Sequence, residues 1–252
     1  MHILGIDVGG SGIKGALVDV NSGELVSERL RIKTPASFAI EKVSKTIGKL
    51  VNKFDYRGPV GVGFPAAVAD GVVLNPPTAH HVQGWAGQSV DERFSSATAC
   101  PVTVVNDADA AGLAEMRYGA GRGVNGVVIT VTLGTGVGAG LFMDGKLVPN
   151  LELGKLFLAG QDEHVEQYMA GRIKKEEGLD WDEYAARLEQ FCRHVEHLFS
   201  PQLIIIGGGI SRNHQKFLPK IRLKRSTVVP AAMRNQAGIA GAAAWAASAY
   251  RV

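Results

Sequence analysis

One device occurs twice in this chain, and it limits the fold more than any other feature. The segments IDVGGSGIKGALVD (residues 6–19) and ITVTLGTGVGAGLF (residues 129–142) each read as strand, glycine-rich turn, strand. A second tight turn and a short apolar stretch follow each copy, NSGELV after the first and MDGKLV after the second. Glycine at such turns admits positive φ and lets backbone N–H groups approach a ligand with no Cβ in the way. Successive N–H groups of this kind form a concave nest that attracts anions. A duplicated chain with one nest per half is expected to grip a run of phosphates from both sides, which points to phosphoryl-transfer chemistry.

With 252 residues the chain has room for one large domain or two ordinary ones around a substantial core. Its 46% hydrophobic and 20% charged residues are the proportions of a soluble globular protein and exclude a disordered one. No run of about 18 apolar residues occurs, so no membrane span is expected, and the N-terminus reads as a strand, not a signal peptide. Cys100 and Cys192 are far apart without metal-like spacing and are expected as small core residues in a reducing cytoplasm. The net charge of +3 is weakly in keeping with a polyanionic substrate and makes no case for nucleic acid.

Strand-like stretches open the chain, and apolar spacing of three and four predicts a helix over 37–54. GPVGVGFPAAV reads as a buried strand entering a loop, and PVTVVNDADAAGLAEMRYG as a strand, a polar break and an Ala-rich helix. Residues 162–199 read as mainly helical with a break near Gly178 and a helix start at Asp180. PQLIIIGGGIS is a buried strand ending in three glycines, and an Ala-rich helix over 238–249 closes the chain. Alternating strands and helices with a hairpin at the head of each half argue α/β with mixed sheets. GTGVGAG resembles a dinucleotide fingerprint only superficially, because it runs into a strand and turn instead of opening a helix.

Asn106 and Asp107 lie where a strand ends and a helix begins. A carboxylate there can take the proton of an attacking hydroxyl, or it can cap the helix; the residues alone leave both open. Asp109 is the expected cap. Asp7, just before Gly9 and Gly10, suits Mg²⁺, held directly or through water, or else stabilises the turn. Lys14 is placed to reach a phosphate as a point charge, or is a solvated strand residue. Gly9, Gly10, Ser11 and Gly12 form the first nest, and Gly134, Thr135, Gly136 and Gly138 the second. Gly207, Gly208 and Gly209 follow a buried strand at the end where open α/β sheets bind ligands. The basic run Lys216, Lys220, Arg222, Lys224, Arg225 is either a solvated face or a guide for a long phosphate chain.

IDVGGSGIKG, VVNDADAAGLAE, VTLGTGVGAGLF, the Glu-Leu-Gly of PNLELGK, SPQLIIIGGGIS and NQAGIAGAA occur in the order found in the ROK sugar kinases, and the chain resembles their polyphosphate glucokinase branch. The resemblance implies an actin-like, ribonuclease H-like sugar-kinase fold with two α/β domains around a cleft, here 1–108 plus 238–252 and 109–237. It implies phosphoryl transfer from polyphosphate, ATP or both, with Mg²⁺, to the 6-hydroxyl of a hexose such as glucose, in a cytoplasmic homodimer. Asp107 would be the catalytic base. Asn106 and Glu152 would bind the sugar, with Glu163 a weaker candidate, and the two glycine turns and the triple glycine would lie along the donor.

Two departures bear on the acceptor. The family's Glu-Leu-Gly-His is here Glu152-Leu153-Gly154-Lys155, and lysine is a donor with no acceptor atom and a longer stem. That histidine also ligates zinc in many members, and their cysteine cluster is missing too, so no structural zinc is expected. In TAHHVQGW, His81 stands where the branch has an asparagine near the sugar, and Gln83 where it has an aspartate. These changes keep open another acceptor (mannose, an amino sugar, a cyclitol). A non-catalytic sugar sensor is the remaining alternative, although the helix-turn-helix that ROK repressors carry at their start is not seen here.

Overall fold

The computed structural model describes residues 1–77 and 82–250. The chain divides into two compact units, one of residues 1–114 and 236–252, the other of residues 115–235. The first unit contains β1 (His2–Val8), β2 (Ile13–Asp19), β3 (Leu30–Ile32), α1 (Ile40–Lys53), β4 (Val60–Phe64), β5 (Val68–Ala69), β6 (Val72–Val73), α2 (Val90–Thr98) and β7 (Val102–Asn106). It also holds most of α3 (Asp107–Tyr118), whose last residues belong to the second unit. The second unit continues with β8 (Val127–Leu133), β9 (Val137–Met143), β10 (Lys146–Val148), α4 (Val165–Met169), α5 (Gly171–Glu176), α6 (Trp181–Phe199), β11 (Leu203–Gly207) and β12 (Thr227–Pro230). Helix α7 (Ala237–Ala249) returns to the first unit.

The duplication read from the sequence is a duplication of topology. The first unit has a five-stranded sheet in the order β3-β2-β1-β4-β7, the second β10-β9-β8-β11-β12. In each, the first three strands form an antiparallel meander and the last two add in parallel.

Strands β4, β7 and β11 are buried along their whole length, as continuous apolar runs in parallel sheets should be. The face of β1 and β4 that receives α7 is cleared of side chains. Gly5 and Gly61 are register partners, and a Cβ on either would run into the main chain of α7 at Ile239 or Ala242. This close approach explains why α7 is almost all alanine and glycine. The opposite side of the first core is filled by Phe38, Phe64, Trp85 and Phe94, with the Trp85 indole N–H donating to the Phe38 carbonyl at 2.9 Å.

Helix α1 begins three residues later than its apolar spacing suggests. Phe38 sits at φ 45°, in the left-handed region, so the chain cannot be helical there. The expected start at Asp180 is met: its carboxylate accepts from the N–H groups of Asp182 and Glu183, and Glu183 returns a bond to the Asp180 N–H. Gly178, at φ +68°, makes the break before it. No helix among the described residues is long and apolar enough to cross a membrane.

Candidate active site

In the first unit, the parallel strands β1, β4 and β7 end side by side, and two carboxylates stand at those ends. Asp7 is the register partner of Gly63, while Phe64 pairs with Asn106, the residue before Asp107. Two strand spacings put the Asp7 and Asp107 backbones about 10 Å apart. Gly63 between them has no side chain; a Cβ there would come within 3.7 Å of the Asp107 Cα. This is the carboxyl-end edge where open α/β sheets bind ligands.

The cap role considered for Asp107 is taken by its neighbour. The Asn106 carbonyl oxygen Oδ1 accepts from the N–H groups of Ala108 at 2.9 Å and Asp109 at 3.1 Å, so Asn106 caps α3. Its Nδ2 donates to the Ala66 carbonyl at 3.2 Å. Both polar ends of this buried side chain are engaged within the protein, where a sugar contact was expected. The expectation that Asp109 is the cap is corrected: Asp109 lies fully buried within the first turn of the helix, and its N–H donates to the Asn106 cap. Asp107, half-buried, holds the first helical position.

The first glycine turn, between β1 and β2, is shaped by its own chain. The Gly9 N–H donates to the Gly12 carbonyl at 3.2 Å, and Thr34 Oγ1 donates to the Gly9 carbonyl at 2.6 Å. Among the described residues nothing accepts from the N–H groups of Gly10 or Ser11, as a nest awaiting an anion requires. Lys14 Nζ lies 3.3 Å from Asp7 Oδ2. Gly238, at the start of α7, packs closely against Asp7, since a Cβ there would come within 3.3 Å of the carboxyl carbon. Sequence reading missed Arg31. Its guanidinium packs against Gly12, and Nη2 donates to the Ser11 carbonyl at 2.6 Å.

In the second unit the corresponding turn has a different state of occupation. Gly134 N–H donates to the Gly136 carbonyl at 3.1 Å, while the Val137 N–H donates to Glu166 Oε2 at 3.1 Å. Arg172 Nε donates to the Thr135 carbonyl at 2.7 Å. Gly138 lies within β9, and it and Gly207 both pair with Thr132 of β8. Gly208, at φ +79°, packs against the main chain of Leu133, where a side chain would collide. The second turn and the triple glycine are thus gathered at one end of one sheet.

Glu166 also faces Lys155 at 4.0 Å. Burial raises the Glu152 carboxyl above the usual range; the charge of Lys155 draws it back and that of Glu166 pushes it up further. Glu152, Lys155 and Glu166 therefore form one charge group. Glu163 is exposed. Sequence reading missed Glu166, which lies in the first turn of the short α4, just after Glu163 in the preceding loop. His81, with Thr78, Ala79 and His80, lies outside the described residues.

Much of the basic run is structurally engaged. Lys220 pairs with Asp182, Lys216 lies over the Trp181 ring, and Arg225 donates to the Glu196 carbonyl at 3.1 Å. Burial would raise the Glu196 carboxyl, but the N–H groups of Ser226, Arg225 and Lys224 all donate to it and hold it at about 2. That clamp fixes the loop to α6.

The ROK family model matches residues 3–151. A polyphosphate glucokinase of Mycobacterium tuberculosis (strain CDC 1551 / Oshkosh) is 42% identical over 244 residues, 96% of this chain and 90% of that protein. Among solved structures, an inorganic polyphosphate/ATP-glucomannokinase from Arthrobacter sp. strain KM superposes with a TM-score of 0.90 at 44% identity, covering 98% of this chain and 99% of that one. A ROK family glucokinase from Streptomyces griseus shares the fold at a TM-score of 0.83 and 24% identity, covering 98% and 100%. The actin-like α/β fold that the motifs implied is the fold of this chain.

Proposed function

The chain belongs to the ROK family, and we propose that it is a sugar kinase transferring a phosphoryl group from inorganic polyphosphate or ATP to the 6-hydroxyl of glucose. The observation that carries this reading is the pair of carboxylates, Asp7 and Asp107, at one sheet edge beside a glycine turn whose exposed Gly10 and Ser11 N–H groups have no acceptor among the described residues. A sugar hydroxyl is a poor nucleophile. As its oxygen forms a bond to phosphorus and the anhydride P–O bond breaks, the proton passes to the Asp107 carboxylate. The N–H groups of Gly10 and Ser11, with Lys14, meet the charge on the donor and hold it in line. Glu152, with Glu166 and Lys155, would accept and donate hydrogen bonds to the sugar's remaining hydroxyls.

Mg²⁺ fits the residues present. Asp7, partly exposed at the sheet edge beside the bare Gly63, offers a hard carboxylate oxygen, and Mg²⁺ typically takes one or two carboxylates, donor phosphates and water. Among the described residues no three His, Cys, Asp or Glu side chains gather into a cage, so Asp7 would be the protein's main contribution. When bound, the ion would neutralise developing charge on the phosphoryl oxygens. A cytoplasmic homodimer remains part of this proposal; the two buried free thiols support a reducing compartment.

The test is Asp107→Asn. With glucose and either donor, kcat is expected to fall by about a hundredfold or more while donor binding stays within about twofold. Turnover that barely changes would remove Asp107 from the base role. Because the similar Arthrobacter enzyme is named a glucomannokinase, mannose belongs beside glucose in the assay.

A further inference from the structure

Asp7, Lys14 and Arg31 form a row across three adjacent strands. Asp7 is the register partner of Lys14, and Lys14 is the register partner of Arg31. Register partners project from the same face of a sheet, so the row presents one negative and two positive groups on one side. Like charges directly opposite each other on neighbouring strands are unfavourable. Lys14 is compensated by Asp7 at 3.3 Å, but among the described residues no carboxylate lies within 4.0 Å of the Arg31 guanidinium. The protein partner it has is the neutral Ser11 carbonyl at 2.6 Å.

The local chain is built to keep that uncompensated cation in place. A Cβ at Gly12 would overlap the guanidinium, with Cζ at 2.8 Å and Nη2 at 2.9 Å, so only glycine lets Arg31 lie on the turn. The Ser11 carbonyl fixes one edge of the fork, and Arg31 is otherwise exposed. Arg31 thus stands on the same turn as the Gly10 and Ser11 N–H groups, which have no acceptor among the described residues. A planar fork next to a nest matches two oxygens of one tetrahedral phosphate.

We propose that Arg31 is a second cationic contact to the phosphoryl donor, holding a phosphate of the anhydride chain beside the one that Lys14 meets. The proposal rests on the kinase reading above. The shared chemistry is a phosphoanhydride, supplied either by polyphosphate or by the triphosphate of ATP, and the two are separated by running both.

The experiment compares the intact wild-type chain with Arg31→Ala and Arg31→Lys. Binding of polyphosphate, and separately of a non-hydrolysable ATP analogue, is measured by calorimetry at low and at moderate salt. Steady-state phosphorylation of glucose is followed in parallel. The alanine variant is expected to bind at least one donor about tenfold more weakly, with a shallower salt dependence, and to raise KM for that donor while KM for glucose stays unchanged. The lysine variant should recover part of the loss. Weakening with polyphosphate alone, with the analogue alone or with both identifies the source, and each supports the contact. Unchanged donor binding in Arg31→Ala, a change confined to the glucose KM, or a wild-type chain that binds neither donor would overturn it. Donor binding that depends on Arg31 in a chain that phosphorylates no sugar would keep the contact and sink the kinase reading.

Discussion

At the scale of single residues, the local environment decides what each polar group is able to do. Asn106 is engaged by the α3 cap and the Ala66 carbonyl, so the cap role considered for Asp107 belongs to its neighbour. Glu152 is raised by burial, moderated by Lys155 and raised again by Glu166. As pH falls through that raised value the carboxylate gains a proton and loses acceptor strength. KM for glucose is therefore expected to climb on the acid side at a higher pH than an ordinary glutamate would give, measured between about pH 5 and 8. In Glu152→Gln the KM should be high throughout and the acid limb absent; an unchanged limb would assign it elsewhere. Asp7, Lys14, Asp107 and Glu152 could be singled out because each sits inside a recognisable motif. Arg31 and Glu166 could not. Arg31 becomes a neighbour of the turn only through the β2–β3 register, and Glu166 only through the inward face of the short α4.

At the scale of elements, the edge strand β7 is held by a helix. Val104 N–H donates to Asp91 Oδ1 at 2.9 Å and Val102 N–H to Ser95 Oγ at 2.9 Å, two side chains one turn apart on α2. The free edge of the sheet is thereby capped, and the strand that ends in Asn106 is fixed. Burial pushes the Asp91 carboxyl up to about 6, against 3.8 ordinarily, although the Val104 N–H opposes the shift. The folded protein thus holds this proton more tightly than the unfolded chain, and stability is lost as pH rises from about 4 to about 6. Allowing for partial exposure, the cost above that window is about 1–2 kcal/mol. Asp91→Asn keeps an acceptor for Val104 and removes the charge. It should raise Tm by a few degrees near pH 7.5 and by nothing near pH 4; equal effects at both would contradict the assignment. The alternation of strands and helices was readable from apolar spacing, as was the Asp180 start. The start of α1 was not, because a phenylalanine in left-handed geometry leaves no compositional mark.

At the scale of the whole molecule, two units share one strand order, and the repeat of glycine turns announced it. What the sequence did not reveal is how far the first unit depends on the C-terminal helix. Gly5 and Gly61 are bare so that α7 can lie on β1 and β4. Ending the chain at Asn235 would expose that face, and the truncated protein is expected to lose the first unit's cooperative unfolding, with early proteolysis there. A truncated chain that melts like the intact one would refute this dependence. The central claim, that the sheet edge bearing Asp7 and Asp107 carries a phosphoryl group to a sugar, is tested most directly by phosphorus NMR. The intact chain is incubated with glucose, Mg²⁺ and polyphosphate, and in parallel with ATP. The account predicts a glucose 6-phosphate resonance growing as anhydride phosphate disappears, one for one. Release of inorganic phosphate alone, or no change with either donor, would contradict it.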